Sequence, residues 1–107
     1  MSYKLVPTPP FERELKQLGK KYPSLQNDLA TLEDQLLKNP TLGISIGHNC
    51  FKIRLAIHSK GKGKSGGARV ITFVQVVNEN IFMIAIYDKS DFENISDKEL
   101  QSRLKNL

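Results

Sequence analysis

Lys52, Arg54, Lys60, Lys62, Lys64 and Arg69 crowd into residues 51–75, a segment with no acidic side chain. The whole chain carries a net charge of +5, so this one segment is more positive than the molecule it belongs to. Bases and acids nearly balance on either side of it. A focus of positive charge of this kind suits a polyanion such as nucleic acid. Lysine and arginine neutralise phosphate, and they stabilise the extra charge of a phosphate under attack. A lysine desolvated among other cations also loses its proton more readily and can serve as a base. The plainer alternative is a solvated basic face that aids solubility.

Within this segment, Gly63-Lys64-Ser65 resembles the end of a nucleotide-binding phosphate loop. That loop needs the spacing G-x-x-x-x-G-K-[ST] between a strand and a helix. The first glycine would fall at position 58, which is His58. Gly66-Gly67-Ala68 and then a strand-like run follow, so no helix N-terminus is available for phosphate. A nucleotide pocket is excluded. Three readings remain: a mobile loop kept soluble by its lysines, a cationic arm on phosphates, or a loop whose Lys64 or Arg69 acts on a scissile phosphate. The glycines would let backbone N–H groups approach a ligand closely.

Other chemistries find little support. Cys50 is the only cysteine, so no internal disulfide forms, and it reads as a small buried hydrophobe. His48 and His58 lack ligand-like spacing, so no metal site is expected. No apolar run approaches the roughly 18–20 residues of a membrane span, and no secretory leader is evident. A cytoplasmic protein is expected, with no membrane partner and no cofactor.

The elements that must position these side chains follow from periodicity. The chain has 107 residues, 39% of them hydrophobic, which suits one small domain over 1–107. Tyr3 to Val6 is a short strand candidate. Thr8-Pro9-Pro10 starts a helix, with Phe11, Leu15 and Leu18 on one face. Pro23-Ser24 opens a second helix, whose stripe is Leu25, Leu29, Leu32, Leu36 and Leu37, and Asn39-Pro40 stops it. The pattern then changes to strands: a weak one over 42–46, an alternating one over 51–58, and two more over 69–77 and 81–87. Lys52, Arg54 and His58 are expected on one face of the second, opposite Phe51, Ile53, Leu55 and Ile57. Ile81 to Tyr87 is apolar on both faces, as in a covered strand. Ser96-Asp97-Lys98-Glu99 reads as a capping box for a last helix. The class is α+β: a small antiparallel meander packed by an N-terminal helical hairpin, plus a C-terminal helix. If the strands flanking the loop pair, Lys52, Arg54 and Arg69 converge on one sheet face.

The stretches "FKIRLAIHSKGKGKSGGARVITFV" and "IFMIAIYDKSDFENISDKEL" resemble the RelE/HigB branch of the RelE-ParE toxin superfamily, over nearly the whole chain. The K-x-R strand, the G-K-S-G-G-x-R-V-I turn and strand, and the Y-x-K ending carry the resemblance. It implies the toxin of a type II toxin–antitoxin module, a ribosome-dependent mRNA endonuclease neutralised by a cognate antitoxin. It further implies cleavage through the RNA 2′-OH, with ribosome and mRNA as partners and no nucleotide cofactor. Carried over by position, Arg54 and Arg69 would hold the phosphate. Lys52 or Lys64 would act as base or phosphate ligand, Lys89 as phosphate ligand or acid, and Tyr87 would stack on or orient the RNA. Lys60 and Lys62 would extend the nucleic-acid grip. Plainer roles are a strand-end aromatic for Tyr87 and an ion pair to Asp88 or Asp91 for Arg69. The terminal Arg and the Glu/His pair of some relatives are absent, so Tyr87-Asp88-Lys89 must substitute. The alternatives are a ParE-like toxin that binds a protein target such as gyrase, or a degenerate member that binds only antitoxin or RNA.

Overall fold

The computed structural model describes residues 2–61, 63, 66–92 and 94–107. Its elements are β1 (Lys4–Pro7), α1 (Pro9–Lys21), α2 (Leu25–Lys38), β2 (Ile44–Gly47), β3 (Cys50–Leu55), a 3-10 turn (His58–Lys60), β4 (Ala68–Gln75), β5 (Asn80–Asp88) and α3 (Asp97–Lys105). The α+β class read from the sequence holds. Strands β2 to β5 form the antiparallel meander. Strand β1 departs from it and pairs in parallel with β5, giving the order β1-β5-β4-β3-β2. The cause is connectivity. β1 and β2 lie on opposite edges, so α1 and α2 carry the chain across the sheet and leave β1 beside the last strand.

Each face of the sheet is covered. Leu25, Leu29, Leu32 and Leu36 of α2, with Phe11 of α1, pack over Ile53, Val70, Ile81 and Met83. On the other face, Leu100 and Leu104 of α3 cover Cys50, Ile71, Ile84 and Ala85. Burial on two sides explains the unbroken apolar run of β5. Leucines at helical spacing supply the first core because every third or fourth side chain of α2 meets the sheet.

The helix ends deviate from their predicted caps in informative ways. Thr8 stands at the N-cap of α1, yet its hydroxyl donates to the Met83 carbonyl at 2.8 Å, pinning the helix start to β5. Ser96 does cap α3, accepting from the Glu99 N–H at 3.1 Å. Glu99 turns forward to Arg103 rather than back to the cap, so half of the capping box forms.

Two strand ends also differ from expectation. β3 stops at Leu55, because the chain turns into the 3-10 segment and binds α2 through polar groups. His58 therefore leaves the face of Lys52 and Arg54. The β4–β5 turn spans residues 76–79, with Gln75 opposite Asn80. Val76 and Val77 thus fall in the turn and are exposed despite their strand-like chemistry.

The register of β4 and β5 contains a bulge. Ile71 lies opposite Ala85, but Thr72 lies opposite Met83, so Ile84 is an extra residue. Ile84 and Ala85 consequently both face α3. One extra residue inverts the alternation of everything beyond it.

Gly67 lies against β3 so closely that an added Cβ would sit 2.1 Å from the Leu55 carbonyl oxygen, whereas Gly19 on α1 has no atom within 4 Å of that position. Gly67→Ala is therefore expected to destabilise the fold by about 1–3 kcal/mol through overpacking. Gly19→Ala is expected to stabilise it by about 0.4–1 kcal/mol by restricting the unfolded chain. Urea denaturation of the two variants checks the contrast; equal midpoints would refute it.

Candidate functional site

Arg54, Arg69 and Tyr87 occupy one row across three strands, since Arg54 is registered opposite Arg69 and Arg69 opposite Tyr87. Side chains in such a row share a face. Lys52 lies two residues along β3 on that same face. The site is thus built on strands, with α3 closing one end of it. The strand order places the termini of β3, β4 and β5 side by side, which is why residues far apart in sequence converge.

The members of the row differ in exposure. Arg54 is exposed, while Arg69 is 3% exposed and donates to the Ala68 carbonyl at 3.1 Å. Lys52 is half-buried, and its ammonium donates to Asn94 Oδ1 at 2.6 Å. Lys52 and Tyr87 line a shared depression of about 210 Å³ with Asp97 and Ile95. Lys89 follows directly on β5, and its N–H closes the last rung with the Gly67 carbonyl at 3.1 Å. The base of the Gly-Lys loop is thereby tied to the end of β5. Lys62 and Lys64 lie outside the described residues.

Tyr87 is buried beneath Phe92, with ring centroids 4.4 Å apart and planes 20° apart. Phe92 is 46% exposed. Sequence reasoning placed the aromatic surface on Tyr87 and missed Phe92. The available signal was an aromatic just past the Ser90-Asp91 turn, which the tyrosine of the Y-x-K ending overshadowed.

Lys60 joins a different group of residues from the one predicted. Ala68, opposite Asp88, packs with the helical hairpin, so the Asp88 side chain lies on the hairpin side of the sheet. There Asp88 accepts from Lys60 Nζ at 2.6 Å, from the Tyr22 hydroxyl at 2.6 Å and from the Ser90 N–H at 2.9 Å. The Lys60 side chain is 10% exposed. Lys60 is therefore a structural cation, on the face opposite Arg54 and Arg69. Asp88 likewise faces away from Arg69.

A second polar cluster ties the same turn to α2. Buried Asp28 accepts from the His58 ring and, at 3.1 Å, from the His58 N–H. Ser24 and Ser59 exchange hydrogen bonds beside it, with the Ser59 N–H to Ser24 Oγ at 2.8 Å. The loop that carries the glycines thus springs from a turn fixed at both clusters.

Burial alone would raise the Asp88 carboxyl, but the hydrogen bonds from Lys60, Tyr22 and Ser90 outweigh it and hold the group well below 3.8. The Tyr22 hydroxyl is pushed up, chiefly by donating to Asp88 and then by burial. Asp28 is opposed by burial yet held down by the His58 and Ser24 hydrogen bonds. Burial pushes the Cys50 thiol up to about 11, so it stays protonated and inert at neutral pH. Among the described residues, no three His, Cys, Asp or Glu side chains come together as a metal site would need. No described helix is long and apolar enough to cross a membrane.

Against known families, residues 35–106 match the RelE toxin of the RelE/RelB toxin–antitoxin system. The chain belongs to the RelE toxin family. The matched span includes β3, β4, β5 and α3, and with them the whole row. Two solved structures share the fold. One is a mutant of the E. coli toxin RelE in the free state, at a TM-score of 0.65 and 17% identity, covering 100% of this chain and 99% of that one. The other is the isolated E. coli RelE toxin, at a TM-score of 0.62 and 18% identity, covering 98% of this chain and 99% of that one. Identity this low shows the shared architecture and leaves the roles of individual side chains to their geometry here.

The depressed carboxyls of Asp88 and Asp28 set a pH dependence. A carboxylate held below its unfolded value stabilises the fold at higher pH, and that contribution is lost as pH falls through the unfolded and then the folded value. Stability is expected to be level from neutral pH to about pH 5 and to fall steeply below about pH 4. Asp88→Asn should cost about 3–5 kcal/mol at pH 7, because it leaves Lys60 buried without its partner. It should also flatten the acid limb. Urea midpoints between pH 7 and pH 2 check this, and an unchanged acid slope in the variant would refute it.

Proposed function

We propose that the chain is a translation-inhibiting toxin that cuts mRNA on the ribosome and is neutralised by a cognate antitoxin. The observation that carries this reading is the row of Arg54, Arg69 and Tyr87, with Lys52 on the same sheet face. Family membership supplies the class of toxin. The cationic face supplies the chemistry.

RNA carries its own nucleophile. A base removes the proton of the 2′-OH, the 2′ oxygen bonds to the adjacent phosphorus, and the bond to the 5′ oxygen breaks. A proton delivered to that oxygen completes the step, leaving a 2′,3′-cyclic phosphate and a 5′-hydroxyl. The phosphorus becomes crowded with negative oxygens on the way. Fixed cations aimed at those oxygens stabilise that state more than the ground state. Arg54 and Arg69 are assigned to this role, with Lys52 or Lys64 as base or phosphate ligand and Lys89 as acid or ligand. Lys52 is already oriented by Asn94. Because the substrate provides the attacking oxygen, no metal-bound water is required.

The base stack is assigned to Phe92, with Tyr87 as the ring that backs it. Single-stranded RNA is commonly read by stacking on an aromatic face. Phe92 offers such a face beside the row, and Tyr87 holds it from below.

Induced expression with mapping of mRNA 5′ ends tests the activity. Cuts within translated codons are expected. Arg54→Ala is expected to abolish them with the melting temperature unchanged, because Arg54 is exposed. Binding to ribosomes should weaken steeply with salt through counterion release. Arrested growth with intact mRNA would overturn the reading.

Phe92→Ala is expected to weaken engagement of mRNA on ribosomes by about 1–3 kcal/mol, the worth of one base stack. Phe92→Tyr is expected to restore it. Titration of mRNA-programmed ribosomes measures both, and equal affinity of all three proteins would remove Phe92 from the site.

A further inference from the structure

The bulge at Ile84 decides which residues of β5 face Arg54 and Arg69, and two side chains outside the row hold it. β1 pairs with β5 only over residues 80–83. Beyond that point the open edge of β5 meets side chains from α1 and α3. Glu14 Oε1 accepts from the Ile86 N–H at 3.2 Å. Arg103 donates to the Ile84 carbonyl at 3.0 Å. The two side chains also pair with each other, through 2.8 Å contacts from Arg103 Nη1 to Glu14 Oε1 and from Nη2 to Oε2. One fork thus satisfies the carbonyl of the inserted residue and the Ile86 N–H two residues on, and joins α1 to α3 across the edge.

We propose that Glu14 and Arg103 are positioning residues for the cleavage, acting through the bulge to keep Tyr87 and Lys89 on the side of Arg54 and Arg69. The inference rests on the ribonuclease reading above. Without the extra residue, the period of two would turn Tyr87 toward the helical hairpin and bring Asp88 to the cationic face. A carboxylate there would oppose the phosphate. The bulge therefore sets the sign of the charge at the end of β5. A bidentate arginine suits the task because its planar fork reaches a carboxylate and a carbonyl at once, which a lysine cannot do.

The test compares Glu14→Gln, Arg103→Met and Arg103→Lys with Glu99→Gln. Glu99 also contacts Arg103, at 2.9 Å, but among the described residues makes no hydrogen bond to the β5 backbone. Single-turnover cleavage on mRNA-programmed ribosomes gives the rate at saturation and the half-saturating ribosome concentration. Displacement of reacting groups by about 1 Å costs on the order of 100-fold in rate. Glu14→Gln and Arg103→Met are expected to approach that loss, with Arg103→Lys between them and the parent. Half-saturation should stay within about 2-fold, because Lys52, Arg54 and Arg69 on β3 and β4 keep their grip. Glu99→Gln should cleave at the parental rate. In parallel, NMR amide exchange at Ile86 and the cross-strand proximity of Arg69 and Tyr87 report the bulge directly. Faster Ile86 exchange with weakened Arg69–Tyr87 proximity in the slow variants is the expected result. Parental rates in Glu14→Gln and Arg103→Met, or equal slowing in Glu99→Gln, would overturn the proposal. If the parent leaves ribosome-bound mRNA intact, the ribonuclease reading fails, and with it the catalytic role given to the pair. The exchange and proximity data then still decide whether the pair holds the bulge.

Discussion

The face that Tyr87 presents is set by a single inserted residue. A strand has no freedom to turn one side chain without turning all of them, because its period is two. The bulge at Ile84 breaks that rule once and leaves the rest of β5 inverted. Before it, Met83 faces the hairpin core; after it, Ile86 does. Phe82, Ile84, Ala85 and Tyr87 face α3. Both cores are thereby filled from one strand, and the strand arrives at its end with an aromatic on the cationic side and a carboxylate on the other.

This sorting lets opposite charges coexist at one corner without cancelling. Asp88 draws Lys60 and Tyr22 to the hairpin side, where three hydrogen bonds keep it ionised against its burial. The sheet then separates that carboxylate from the arginines. Asp28 repeats the device one turn away, holding His58 against α2. In both clusters the carboxylate is spent on architecture. They also fix the turn from which the Gly-Lys loop departs, so a loop of glycines begins and ends on rigid backbone.

Much of this was legible in the residues. The leucine spacing of α2 and the Thr8-Pro9 start reported the helical hairpin, because core contact imposes a period of 3.6. The alternation of β3 placed Lys52 and Arg54 together, and the strand after the loop brought Arg69 to them. What could not be read depends on partners distant in sequence. The parallel seat of β1 follows from the sheet order, which no local pattern encodes. Val76 and Val77 look like strand residues and form a turn, because register with Asn80 overrides their propensity. Lys60 looks like its neighbours in the basic segment and differs only in meeting Asp88, 28 residues on. The bulge was hidden for a simpler reason. In a strand apolar on both faces, the pattern of side chains does not change when the alternation inverts.

Arg54 is registered directly opposite Arg69. Taken in isolation, like charges directly across a strand pair are unfavourable, so the pairing is not one that sheet propensity selects. One guanidinium of the pair is buried and the other exposed. Rules of local consistency fail most often where a site is being served. Here the failure has a direction, because two cations held side by side lower the energy of any dianionic oxygen set placed between them more than that of a single charge. In the proposed cleavage the phosphate under attack would be such a set, and the resting diester would not. In the cleavage proposed above, that preference for the crowded phosphate is what two cations on one face would contribute.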